Sequence, residues 1–212
     1  MLTVPSCDMC NTGIGDGTKR PMSEDEEYMR TVMCMAASNA GPHPVVDALT
    51  QGPIIRQLQR RPGLAFKFAE TLKMGWGQTP SGFFIPNQST VSVDANRLVR
   101  VITKITKGLF YYHMTTPLPT SLIVRVMLDL PVAEFYQLKE LLLKCSNIGV
   151  RAYPDKVFTY IGARSIKLPG ISMWLMSFYN RFSVFAVTTA REDKHLVFGE
   201  IETGNPILAI DL

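Results

Sequence analysis

Hydrophobic and polar positions along the chain change period twice, and the changes outline its elements. Over residues 24–39, Tyr28, Val32, Met35 and Ala36 recur at helical spacing, until Gly41-Pro42 ends the run. Ser23-Glu24-Asp25-Glu26 ahead of them reads as a capping box, and the four acids Glu24 to Glu27 favour the positive end of the helix dipole. A helical stretch broken by Pro and Gly is expected over 43–74, then a loop or short extended segment over 75–92. The clearest helix spans 94–113, with Asp94 as cap and Leu98, Val101, Ile102, Ile105, Leu109 and Tyr112 on the buried face. Residues 122–128 read as a strand, and Pro131 opens a helix carrying Val132, Phe135, Leu138, Leu142 and Cys145 inward. Beyond Gly149 the period shortens. Segments 157–161, 171–179, 182–189 and 196–201 are aromatic and β-branched, with a hairpin tip at Tyr179-Asn180-Arg181-Phe182. The expected class is α+β: an N-terminal CxxC segment with the acidic helix (1–40), a helical basic middle (41–120) and an α+β C-terminal region (121–212) with an antiparallel sheet packed on the preceding helices.

Composition adds limits. With 46% hydrophobic and 19% charged residues in 212, the chain has the material for a packed core and is no disordered tail. It has no run of about eighteen apolar residues of the kind that spans a bilayer and no secretory signal pattern at its start, so a cytoplasmic protein with no membrane partner is expected. The net charge of +4 is mild, but its distribution is not: residues 51–110 hold nine basic side chains against Glu70 and Asp94, a net +7. Four of these, Arg97, Arg100, Lys104 and Lys107, follow at steps of three, four and three and line one stripe of the 94–113 helix. A stripe of this kind suits either a phosphate backbone or the solvated face of an amphipathic helix.

Cys7-Asp8-Met9-Cys10 is the sharpest local signal, because two thiolates two residues apart can bind one zinc ion from the same side. Zinc needs four ligands, so the pair is half a site, and it is equally read as incidental. Cys34 and His43 are conceivable completing ligands, although their spacing matches no established zinc pattern; Cys145 falls on the apolar face of its helix. The absence of a strand–CxxC–helix pattern argues against a redox role. His113, after Tyr111 and Tyr112, reads as a helix-end or partly buried histidine.

The run Leu2-Thr3-Val4-Pro5-Ser6-Cys7-Asp8-Met9-Cys10-Asn11, followed by Ser23-Glu24-Asp25-Glu26-Glu27-Tyr28-Met29-Arg30, resembles the second half of the HNH endonuclease motif of bacterial and phage proteins. The likeness continues as a weaker pattern through His43-Pro44, Asp94, Arg97-Leu98, Lys104-Ile105 and Lys107 to His113, then Leu118-Pro119, covering roughly the first 120 residues. It implies a ββα-metal module with a structural zinc and a divalent catalytic metal such as magnesium. Cys7 and Cys10 match its second zinc pair, Asn11 its middle Asn, and Asp25 or Glu26 the acidic helix start where a carboxylate could assist the metal. Two departures stand out. The first CxxC and the general-base histidine have no counterpart, and the link from Asn11 to Ser23 is long. Function as read from the sequence is therefore that of an HNH-endonuclease-related DNA-binding protein, truncated or degenerate and inactive as written for want of a base, with Arg97, Arg100, Lys104 and Lys107 on DNA. The alternative is a non-enzymatic accessory or protein-binding module whose Cys pair is incidental and whose basic helix docks an acidic partner.

Overall fold

A computed structural model of the chain describes residues 21–38, 55–60, 62–63, 73–78, 84–90, 93–128, 132–145, 147–153, 157–165, 170–180 and 182–190. In chain order the elements are α1 (Met22–Ser38), α2 (Ile55–Arg60), β1 (Lys73–Gln78), β2 (Phe84–Thr90), α3 (Ala95–Met114), β3 (Leu122–Leu128), α4 (Val132–Cys145), β4 (Gly149–Ala152), β5 (Phe158–Arg164), β6 (Ser172–Phe178) and β7 (Phe182–Ala190). The class is α+β, as expected from the change of period. The expected strand at 196–201 lies outside the described residues.

The main sheet is antiparallel, in the order β3-β7-β6-β5-β4. Its two faces follow from strand alternation. Tyr160, Trp174, Met176, Val184 and Ala186 point to the side covered by α1 and α3. Ile161, Ala163, Met173, Leu175, Phe185 and Val187 point to the other, where Leu142, Phe135 and Leu138 of α4 cover them. Because both faces are covered, β6 and β7 are buried almost throughout, which is why they read as continuous apolar runs. The β6–β7 connection carries Tyr179 and Asn180 at φ 52° and 55°, a pair of left-handed residues of the sort tight hairpins demand. Gly162 lies directly opposite Trp174 across the β5–β6 ladder. A Cβ there would meet indole carbon Cζ3 at 2.7 Å, so glycine is what lets the ring lie flat over β5.

Several sequence expectations need adjustment. The first helix starts at Met22, with the Glu24 amide donating to the Pro21 carbonyl, so Ser23 sits inside the first turn and does not cap it. Proline pre-sets φ for the turn, and the helix therefore begins one residue ahead of the capping-box pattern. Lys73 and Met74, expected at the end of a helical stretch, begin a hairpin instead: β1 pairs antiparallel with β2, with a register shift between Gly75 and Gly77. Cross-strand pairing with Thr90 and Ser89 of β2 overrides local pattern there. On α3 the Asp94 cap is present, its Oδ1 accepting from the amides of Asn96 and Arg97. Leu98, Val101, Ile102 and Leu109 are buried as expected, but Tyr112 is 52% exposed and Phe110 is buried in its place. β4 went unanticipated because its four residues, Gly149-Val150-Arg151-Ala152, are an exposed edge with no apolar alternation.

Candidate nucleic-acid interface

The acidic start of α1 and the basic stripe of α3 meet. Asp25 is 1% exposed, and its two oxygens are taken by Arg97 Nε at 2.7 Å and Arg100 Nη1 at 2.5 Å. Arg97 is further held on two sides: its Nη2 donates to the Glu24 carbonyl at 2.8 Å, and its guanidinium lies 4.1 Å above the Tyr28 ring. The Tyr28 hydroxyl in turn accepts from the Asp94 amide at 2.8 Å, so one α1 side chain fixes both an arginine and the cap of α3. Burial of a carboxylate is costly unless it is paired and hydrogen-bonded, and this arrangement supplies both. Arg97 and Arg100 thus face α1 and are not on an outer surface; their side chains retain 14% and 11% exposure. One turn on, Lys104 Nζ meets Glu26 Oε1 at 2.7 Å in an open pair, 31% and 45% exposed.

Lys107, the last cation of the stripe, is exposed and stands on the wall of a cleft of about 770 Å³. Thr103, Lys107 and Tyr111 form the α3 wall, being one turn apart on the same face. Residues 117–120 and the first residues of β3 complete the lining, and the Leu122 amide donates to the Pro119 carbonyl where the loop turns into β3. Thr115 at φ 56° ends α3 with its amide bonded to the Tyr111 carbonyl, which turns the chain into this loop.

At the far end of α3, His113 Nε2 and the Tyr160 hydroxyl are hydrogen-bonded at 2.9 Å, and the His113 ring lies 5.7 Å from that of Trp174. Burial, then the Arg151 charge, lowers the His113 pKa below its ordinary value. Burial, followed by neighbouring Tyr153 and Tyr112, pushes the Tyr160 hydroxyl up to about 12. Beneath them the indole Nε1 of Trp174 donates to Ser172 Oγ, which is bonded to Thr188 Oγ1, and that hydroxyl reaches the Gly170 carbonyl. This chain of hydroxyls is closed within the protein, so it satisfies buried groups without pointing at a ligand.

Cys7, Cys10 and Asn11 lie outside the described residues, as do Cys34's side chain and His43. Of the remaining candidates, Asp25, Glu26, Arg97, Arg100 and Lys104 are brought together, but as an ion-paired interface, and Lys107 stands apart from it on the cleft. A divalent cation at Asp25 would have to displace two guanidinium groups, so the described residues do not fit one there. Among the described residues no three His, Cys, Asp or Glu side chains converge, and no helix is long and apolar enough to cross a membrane. Sequence reasoning missed Tyr28 as the partner of Arg97 and Tyr160 as the partner of His113. The acidic run of α1 and the basic stripe of α3 signalled that the two helices could meet, but nothing local singles out either tyrosine. Compared with family models, with curated proteins and with solved structures, the chain matches none.

Proposed function

We propose that the chain is an HNH-endonuclease-related DNA-binding protein whose described body is a non-catalytic scaffold. One observation carries this reading: the two ends of the stretch that resembles the family, the acidic helix and the basic helix, are tied to each other through residues that make up the resemblance, Asp25, Tyr28, Asp94 and Arg97. A likeness spread over separate segments has a physical basis when those segments form one interface. On this reading Cys7 and Cys10 supply half of a structural zinc site, Asn11 belongs to the adjoining loop, and Asp25 acts as a helix clamp. Phosphate contact then falls to the more exposed end of the stripe, to Lys107 and to Lys104, whose pair with Glu26 is open to solvent, and no hydrolytic step is assigned to the described residues.

The test is duplex DNA binding at two salt concentrations together with metal analysis of the 212-residue chain. Lys104→Ala with Lys107→Ala should weaken binding across all sequences and reduce the salt slope by about 2, roughly 0.9 for each phosphate that is no longer neutralised. Zinc retained through purification should be lost in C7S/C10S. Binding unchanged by the lysine substitutions would sink the assignment. A second reading, a non-enzymatic module that docks a protein partner, is favoured by the pairing of Arg97, Arg100 and Lys104 with acids of their own chain. No DNA binding and no retained zinc would select it.

A further inference from the structure

Among the described residues the basic stripe of α3 divides by partner: Arg97, Arg100 and Lys104 meet acids of α1, and Lys107 meets none. Asp25 engages Arg97 and Arg100, and Glu26 engages Lys104. Lys107 lies beyond these acids, and none of the described residues lining its cleft is acidic. An ammonium on a wall with no described acid sets a local positive potential. Flanking it one turn either way are the hydroxyls of Thr103 and Tyr111, and Thr120 adds a third to the lining. Leu118 and Leu122 make the adjoining surface apolar, and Tyr111 is 38% exposed, so part of its ring is open to a flat partner. A volume of about 770 Å³ is within the ordinary range for a small-molecule site, roughly 300–1,000 Å³.

We infer that the cleft between α3 and β3 is a nucleotide site, with the phosphate on Lys107 and Thr103 and the base against Tyr111 and Leu118. Its choice of nucleotide over another phosphate-bearing ligand rests on the DNA-binding reading above. The phosphate takes Lys107 and the hydroxyl donors, and the base takes the apolar wall; a purely ionic or a purely apolar ligand would use only half of the cleft. The same chemistry can arrive as a free nucleotide or as one unit of a single strand.

The experiment is calorimetric titration of the full chain with AMP and, separately, with a short single-stranded oligonucleotide, for the native protein and for Lys107→Glu, Lys107→Arg and, as a distant control, Lys144→Glu. Saturable binding of either probe that falls about 10-fold or more in K107E, is kept in K107R and is unchanged in K144E supports the site, because loss of a charge-assisted hydrogen bond plus a reversed charge acts there alone. AMP binding identifies the free nucleotide as a source; oligonucleotide binding without AMP binding identifies the strand. Binding of neither probe, or binding indifferent to K107E in a variant whose thermal midpoint equals the native one, overturns the proposal. Duplex binding that is weakened by the paired Lys104 and Lys107 substitutions while both probes fail overturns the cleft and leaves the DNA reading standing. AMP binding without any DNA binding does the reverse.

Discussion

The α1–α3 interface and the Trp174 layer of the sheet are held by different physics. At the first, a carboxylate, two guanidinium groups and one aromatic face are buried together, and the contact is specific because each oxygen of Asp25 meets its own arginine while Tyr28 and the Glu24 carbonyl fix the orientation of Arg97. At the second, an indole, Met176, Val184 and Ala186 are fully buried, and the polar atoms present are closed into a chain of hydroxyls. Apolar burial is the larger and less directional contribution, whereas a buried ion pair adds little net stability yet is costly to break on one side. The sheet layer therefore stabilises the fold, and the ionic clamp decides how α1 sits on it.

Substitutions, pH and salt separate these roles. Trp174→Ala has the largest expected effect: it deletes a side chain with no exposed surface and leaves a cavity over Gly162, for a loss of about 3–5 kcal/mol. Urea unfolding should show a lower midpoint with the cooperativity of a single transition; a loss under about 1 kcal/mol would mean the layer collapses to fill the space. Asp25→Ala comes next, at about 3 kcal/mol, the lower end for a broken buried pair, because both arginines can still reach some water. Its distinguishing sign is local: amide exchange should rise across α1 and the first turn of α3 while β6 and β7 stay protected. Equal loss of protection in both regions would dissolve the distinction.

The smallest effect is a pH dependence. Folding lowers the pKa of His113, so between the folded value and the ordinary 6.5 the unfolded chain binds more protons than the native one. Stability associated with this group is complete above the ordinary value and is lost as pH falls through the folded one. His113→Gln should remove that part of the slope in thermal unfolding below neutral pH, and an unchanged slope would assign it to other groups. Asp25, buried within its pair, should leave the clamp insensitive to salt in the same experiments, unlike the open Lys104–Glu26 pair.

Much of the secondary structure was legible in the sequence, and most of the site was not. The 3.6-residue period placed α3 and α4, the Asp94 cap was readable, and the β6–β7 pair was marked by apolar runs around a turn. The same period could place Arg97, Arg100, Lys104 and Lys107 on one stripe but said nothing of what faces it. Asp25 and Arg97 are 72 residues apart, and Asp25 and Arg100 are 75 apart, so their contact depends on how two helices dock. The β1–β2 hairpin and the short edge strand β4 were misread or missed for a related reason: their residues have weak local preferences, and their partners come from other segments.

By itself the sequence determined the class, the elements with strong periodicity, and the segregation of basic charge into the middle of the chain. Tertiary structure decided which of those charges serve the fold. Two arginines and a lysine face α1 because a buried Asp25 and a neighbouring Glu26 are lower in free energy paired than alone, and Lys107 is left to the cleft because the acids of α1 do not extend that far along α3.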